Sequence, residues 1–342
     1  MAIRFPAPLK PGDRVGVTSP SSGVADKHRA RLEYAVETVR GRGYDVVLGE
    51  CMDGGSHISA PAAQRAAELT AMLTDPGIRA VVPPWGGETA IDLLGLLDWE
   101  VIGAAEPAWY VGFSDNSTIM TPLTLRTGVA TLHGNNLMDT PYRTVGDLLS
   151  WLDIAALPQG ASFTQSPPGR YRAKGWDDWT ANPEVSELTL GSEGTWTRLD
   201  GDSDVEVSGR LIGGCIETMR HVAGTPLGDL RGFAEEYAPE GLLVYVDVAE
   251  DNAFSVCRSL HGMRLAGYFD AASAVLVSRT SAPDSGTLSQ KEAVLDALGG
   301  LGVPIIADVE CGHVPPYMPI VNGALGRLRF GAGSGELTQV LT

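Results

Sequence analysis

The stretch Trp109-Tyr110-Val111-Gly112-Phe113-Ser114-Asp115-Asn116-Ser117-Thr118-Ile119-Met120 (WYVGFSDNSTIM) decides the fold. An apolar run stops at Gly-Phe-Ser and a helical pattern starts at once, as where a buried strand turns directly into a helix. Ser114 has two readings at such a junction. Ser, Asp and Asn are the preferred helix N-caps, so Ser114 can be a cap and nothing more. A serine on so sharp a turn is also placed to act as a nucleophile, and the rest of the chain has to separate the two.

Working outward, the first half alternates short β-rich runs with helical patterns. DRVGVTSP reads as a strand, DKHRARLEYAVETVRGRGY as an amphipathic helix, DVVLGE as a strand, and SAPAAQRAAELTAMLTD as a helix with Pro61 in its first turn. Strand IRAVVPPW, helix ETAIDLLGLLD, strand AWYVGF, a helix from Asn116 to about Arg126, strand VATLHG and a helix near 145–157 continue the series. Repeated strand-helix units predict an α/β fold: a mostly parallel sheet flanked by helices, of flavodoxin or glutamine-amidotransferase type. The Gly-, Pro-, Ser- and Trp-rich run 158–184 reads as a linker or long functional loop. Beyond it, TWTRLD, VEVSGRLIGG, GLLVYVDVA, AASAVLVSR, PIIADV and GRLRFG, with helical patterns at 251–266 and 288–300, predict a smaller, strand-rich mixed α/β domain. The expected organisation is an N-terminal nucleophile domain over 1–160, a Trp-bearing linker over 161–196 and a C-terminal domain over 197–342.

Composition narrows the function. The 342 residues are 44% apolar, enough for ordinary cores, and the formal charge is −17. So acidic a chain is ill suited to a nucleic-acid backbone or an anionic membrane, both of which attract clustered Lys and Arg. The N-terminus shows no signal pattern and no run approaches a membrane span, so the expected location is the cytoplasm. Cysteines 51, 215, 257 and 311 are widely spaced with no C-x-x-C, which signals neither a disulfide framework nor a zinc site.

In a parallel α/β sheet, sites form where strands end, because loops converge there and helix N-termini present free amides. Three loops qualify: SPSSG, WGGET and FSDNS. Gly86 and Gly87 are either a plain turn or a close approach of backbone to substrate. In the second case an amide of that pair, with the amide of Asp115, suits an oxyanion. A serine hydroxyl also needs a base, usually a histidine oriented by a carboxylate. Of six histidines, His28, His221 and His261 lie in helical patterns and His57 in a loop, while His133 ends a strand facing the expected cleft. His313 stands out, because ADVECGHVPPYMPI is an apolar strand ending in Cys-Gly-His before a rigid turn. For the carboxylate, Glu217 follows the Gly-Gly bend of GRLIGGCIETM at a helix start, where it is either a favourable helix charge or the third member. Ser114, Glu217 and His313 all sit at strand ends beside glycine, and that coincidence favours chemistry over capping.

Those segments, with LKPGDRVGVTSPSSG and GIRAVVPPWGGETAIDLLGLLD, resemble the LD-carboxypeptidase family of serine peptidases, which includes the microcin C self-immunity branch. The resemblance spans nearly the whole chain. It implies a Ser-Glu-His triad falling on Ser114, Glu217 and His313, an oxyanion hole from Gly87 or Gly86 with Asp115, no metal or organic cofactor, and a homodimer. The chain departs from the muropeptide carboxypeptidases of that family. Their Arg-Gly-Gly-Tyr-Gly loop is Trp85-Gly86-Gly87-Glu88-Thr89 here, and Asn135 replaces the proline usual after His-Gly. No Arg or Lys lies between Trp85 and Asp98 to fix a terminal carboxylate.

Trp176, Trp179 and Trp196 resemble the insertion of the immunity branch. Singly each suits loop packing; together they suit stacking on a planar ring. With Glu88 they are the expected substrate contacts. The sequence therefore predicts a hydrolase of a small peptide-like substrate or aminoacyl-nucleotide conjugate, with muropeptide carboxypeptidase activity as the alternative. A ligand-binding module without turnover is the non-enzymatic alternative.

Overall fold

The computed structural model describes all 342 residues. β1 (Arg14–Val17), β2 (Asp45–Leu48), β3 (Ile78–Val81), β4 (Trp109–Gly112) and β5 (Thr131–His133) build the first sheet, with α1 (Arg29–Gly41), α2 (Ala62–Thr74), α3 (Trp99–Ala104) and α4 (Ser117–Thr127) between them. These strands are parallel and lie in the order β5-β4-β3-β1-β2. That is the doubly wound arrangement whose direction reverses between β1 and β3, the point where such sheets open a crevice for ligands. All four residues of β4 are buried, which is why WYVG reads as continuous apolar sequence rather than an alternating strand.

After α5 (Trp151–Ala155) come β6 (Ser162–Gln165), the short ribbon β7 (Arg170–Tyr171) and β8 (Ser192–Glu193), and β9 (Thr197–Arg198). The remaining elements are β10 (Val205–Cys215), α6 (Ile216–Met219), α7 (Leu230–Tyr237), β11 (Leu242–Asp247), α8 (Ala253–Leu265), β12 (Ala272–Ser278), α9 (Gln290–Leu298), β13 (Ile305–Val309), β14 (Ile320–Asn322), β15 (Leu325–Gly331) and β16 (Ser334–Val340). The second sheet runs β6-β16-β15-β10-β11-β12-β13-β9. Its centre, β10 to β13, is parallel, and antiparallel strands close both sides. Both strand sets are therefore mixed into an α/β whole, as the sequence pattern predicts.

The two sheets are not separate bodies. β14 returns from the C-terminal half to pair antiparallel with β5, Ile320 opposite His133. Helix α4 docks on β10: Thr121 Oγ1 donates to the Gly213 carbonyl at 2.5 Å, and the Cys215 amide donates to Ser117 Oγ at 3.1 Å. A Cβ on Gly214 would lie 2.8 Å from that of Ser117, so the Gly-Gly bend of GRLIGG is what lets α4 approach.

Local differences from the sequence pattern have local causes. The run ETAIDLLGLLD forms only a 3-10 turn over Ala90–Leu93, and the helix begins later, where the Asp98 side chain accepts the Val101 amide as an N-cap. Within the Gly- and Pro-rich run, 162–165 is strand β6, paired with β16. The end of that run is held by Arg31. This fully buried arginine of α1 donates to the carbonyls of Met138, Pro183 and Val185, and its guanidinium lies 4.9 Å over the rings of both Tyr142 and Trp179. No helix is long and apolar enough to cross a membrane.

Candidate active site

β4 ends at Gly112, and the chain turns so sharply that Ser114 takes a φ of +64°. That left-handed conformation is strained for a residue with a side chain and persists only where its surroundings impose it. Three loops impose it. The buried Asp115 carboxylate accepts from the Ser21 hydroxyl at 2.6 Å, the Ala90 amide at 2.9 Å and the Thr118 hydroxyl at 3.1 Å. Asn116 donates to the Trp85 carbonyl and to Asn136 Oδ1, and Tyr110 donates to Asn116 Oδ1. The loops after β1, β3 and β5 are thereby fastened to the elbow after β4. Gly86 comes closest: a Cβ there would stand 3.0 Å from both Cβ and Oγ of Ser114 and 3.2 Å from the Asp115 amide nitrogen. Gly86 and Asp115 thus adjoin Ser114, and Gly87 lines the same cavity beside Ser21 and Ser22.

His313 enters from the loop after β13 and lines the same cavity, of about 410 Å³, as Ser114. Its Nδ1 lies 2.8 Å from Oδ2 of Asp247, the last residue of β11. At that distance the two groups form an ion pair when the ring is protonated. Asp247 is fully buried, and its other oxygen accepts from the Ser278 hydroxyl at 3.2 Å. A Cβ on Gly312 would lie 2.1 Å from Asp247 Oδ1, so the glycine before His313 is what admits the carboxylate. Burial by itself lowers the affinity of His313 for a proton, but the Asp247 charge and hydrogen bond outweigh it and raise the pKa above the ordinary histidine value.

This geometry replaces the expectation for Glu217. Its Oε1 already accepts the amides of Ala249, Glu250 and Asp251 at 3.0, 3.0 and 3.1 Å, and Oε2 faces the Cys215 thiol at 3.1 Å. Glu217 lines the cavity and clamps the loop that follows Asp247, but the carboxylate against His313 is Asp247. Cys215 comes close as well: its sulfur lies within 4.8 Å of the facing atoms of Asp247 and His313. Burial, then the charges of Asp247 and Glu217, push its thiol well up, so it stays protonated and a poor nucleophile.

Other expected residues separate. His133 is a core residue rather than part of the cleft, packed edge-on against Tyr245, with burial lowering its pKa to about 4. Trp196 is only 2% exposed and donates to the buried Glu310 carboxylate at 2.6 Å, so it is a packing residue and not a substrate contact. Trp179 donates to the Tyr142 hydroxyl and lines a smaller chamber of about 110 Å³ with Tyr142 and Tyr317. Trp176, 63% exposed, borders both this aromatic chamber and the Ser114 cavity. Glu88 is exposed at the cavity edge.

A strained serine at the end of a parallel strand, sharing one cavity with a histidine backed by a buried carboxylate, is the arrangement of a serine-type hydrolase working through an acyl-enzyme. Comparison with known families agrees and makes the class specific. Residues 15–134 match the LD-carboxypeptidase N-terminal domain and 208–328 the LD-carboxypeptidase C-terminal domain, so the chain belongs to the LD-carboxypeptidase family of serine peptidases.

Among curated relatives, a Streptomyces coelicolor protein named "Putative carboxypeptidase" is 28% identical over 97% of this chain and 95% of its own. The microcin C7 self-immunity protein MccF of Escherichia coli is 23% identical over 97% and 95%. Solved structures share the fold. MccF in complex with aspartyl sulfamoyl adenosine superposes with a TM-score of 0.80 at 20% identity, over 99% of both chains. A muramoyltetrapeptide carboxypeptidase from Oxalobacter formigenes gives 0.68 at 18% identity, over 96% of this chain and 98% of its own.

Asp247 is the residue that sequence reasoning missed. Its signal was present, since GLLVYVD is five apolar or glycine positions and a tyrosine, ending on a single carboxylate. A carboxylate closing a strand buried at every position must have a partner.

Proposed function

We propose that Ser114 is the nucleophile, His313 the general base and acid, and Asp247 the carboxylate that orients His313. The observation that carries the reading is the left-handed Ser114 sharing one cavity with the His313–Asp247 pair. His313 takes the hydroxyl proton as Ser114 attacks an amide carbonyl, and Asp247 stabilises the imidazolium that forms. The oxyanion meets the amides of Asp115 and of Gly87 or Gly86, at the positive end of the helix that begins with this elbow. His313 then gives its proton to the leaving amine, and water attacking through the same histidine frees the acyl group.

The preferred substrate is an aminoacyl or peptidyl nucleotide conjugate, hydrolysed as in microcin C immunity. Its planar leaving group fits the aromatic chamber bounded by Trp176, Trp179, Tyr142 and Tyr317, and a structural relative holds aspartyl sulfamoyl adenosine. The D-amino acid leaving group of a muropeptide offers no planar ring to such a chamber, and its terminal carboxylate calls for a cation. The one arginine lining the chamber, Arg172, is already paired with Asp177 at 2.9 Å. Trp176 and Glu88 are the substrate contacts retained from the sequence pattern. The protein acts in the cytoplasm, as a homodimer.

Incubation with an aminoacyl sulfamoyl adenosine and, separately, with a tetrapeptide muropeptide tests the reading. Release of the sulfamoyl nucleoside, weakened in Trp176→Ala by a loss of about 1–3 kcal/mol in binding, supports it. Release of D-alanine with no action on the conjugate makes the protein a muropeptide carboxypeptidase instead.

A further inference from the structure

The cavity holding Ser114 and His313 is lined by four carboxylates, Glu88, Asp115, Glu217 and Glu250, and by no Lys or Arg. Two of the four are engaged within the protein. Asp115 accepts three hydrogen bonds that fix the elbow, and Glu217 accepts three backbone amides and faces a thiol. The side chains of Glu88 and Glu250 form no ion pair with the chain, and both residues are exposed at the cavity mouth. Burial raises the Glu88 carboxyl, and the like charges of Asp115, Glu250 and Glu217 raise it further. The neighbouring aromatic chamber is built differently, its Asp177 being neutralised by Arg172. One wall of the active site therefore concentrates negative charge with no counterion from the protein, and does so where substrate must lie.

The arrangement of the two chambers says which part of the substrate meets this wall. Trp176 separates them, and a planar leaving group in the aromatic chamber leaves the acyl group to the side formed by Glu217, Thr218, Glu250 and Pro283. We propose that Glu88 and Glu250 make the enzyme select acyl groups carrying a side-chain cation, such as lysyl or ornithyl, over neutral ones, and reject those carrying a side-chain carboxylate. A carboxylate there would meet uncompensated like charge, which discriminates more sharply than a missing attraction. This rests on the hydrolase reading above and names the acyl half of its substrate.

The test is a matched set of lysyl, norleucyl and glutamyl compounds, each joined once to sulfamoyl adenosine and once to D-alanine. On whichever leaving group is turned over, kcat/KM should rank lysyl above norleucyl by about tenfold or more, with glutamyl lowest. The spread should shrink at high ionic strength, because exposed charges are screened within about 10 Å at 0.1 M salt. Replacing both residues, Glu88→Gln with Glu250→Gln, should cut the lysyl advantage to about threefold or less, and Glu250→Lys should raise glutamyl turnover. Glutamyl compounds turned over as well as lysyl ones by the wild type would overturn the proposal. If neither leaving group is released, the substrate reading fails by itself. Calorimetry of the same compounds on Ser114→Ala then decides, and glutamyl binding as tight as lysyl would overturn it.

Discussion

Replacing Asp247 by Asn separates the carboxylate that the geometry selects from the one that the sequence pattern suggests. Asn matches Asp in size, so the fully buried site keeps its packing, and its amide oxygen can still accept from Ser278. What disappears is the charge 2.8 Å from His313 Nδ1. Without it the imidazole loses its orienting partner and the imidazolium its stabilisation, a change that costs about ten-thousand-fold in turnover where such a triad operates.

The pH profile should move too. In the wild type the raised pKa of His313 places the acid limb of kcat/KM above pH 6.5, since the base must be neutral to act. In Asp247→Asn the largest raising influence is gone while burial remains, so the limb shifts to lower pH than in the wild type. The same pair contributes folding stability that is present below pH 6.5 and is lost as pH rises through the folded-state value. Glu217→Gln is the control: its side-chain oxygen can still accept the three loop amides, so the rate should stay within about tenfold. Rates of acylation by a fluorophosphonate, measured with both variants from pH 5 to 9, check this without requiring the natural substrate. Near-normal acylation in Asp247→Asn alongside collapse in Glu217→Gln would refute the assignment.

Gly86→Ala puts a methyl 3.0 Å from Ser114 Oγ and displaces the oxyanion donors; acylation should fall about hundredfold or more with little change in melting temperature. Trp196→Ala should cost about 3–5 kcal/mol of stability, measured by denaturant unfolding, because it empties a buried site and removes the donor to Glu310 Oε2. Substrate affinity of the molecules still folded should be unaffected. His133 keeps its ring neutral down to a pKa of about 4, while an unfolded histidine protonates near 6.5. As pH falls between those values, the wild type should lose up to about 3 kcal/mol relative to His133→Leu, read from paired melting curves.

The elements around Ser114 were legible because each is announced locally. WYVG is apolar throughout, so it sits inside a parallel sheet, and the turn at Gly112–Phe113 followed at once by polar helix-starters fixes the elbow. His313 was legible for a similar reason, a histidine at an apolar strand's end with no packing role to explain it. What failed was pairing. Whether Glu217 or Asp247 meets His313 depends on which of two adjacent loops folds over the other, and sequence spacing carries no information on that. Glu217 carries the right residue type at a suitable strand end, yet three backbone amides capture it first.

The tryptophans divide along the same line. Trp176, Trp179 and Trp196 are equivalent by composition, but the long-range partners Glu310 and Tyr142 decide which of them packs and which faces the cleft. β14 and β16 escaped notice because IVN and SGELTQV are short or polar, and their strand character comes from the edges they join.

Whether Ser114 is an activated nucleophile is read most directly by intact-mass spectrometry after treatment with a fluorophosphonate. A single adduct per chain should form, mapped to Ser114, absent in Ser114→Ala and formed more slowly by about a hundredfold or more in His313→Ala. Equal labelling of Ser114→Ala, or no labelling of the wild type under conditions that modify other serine hydrolases, would contradict that role.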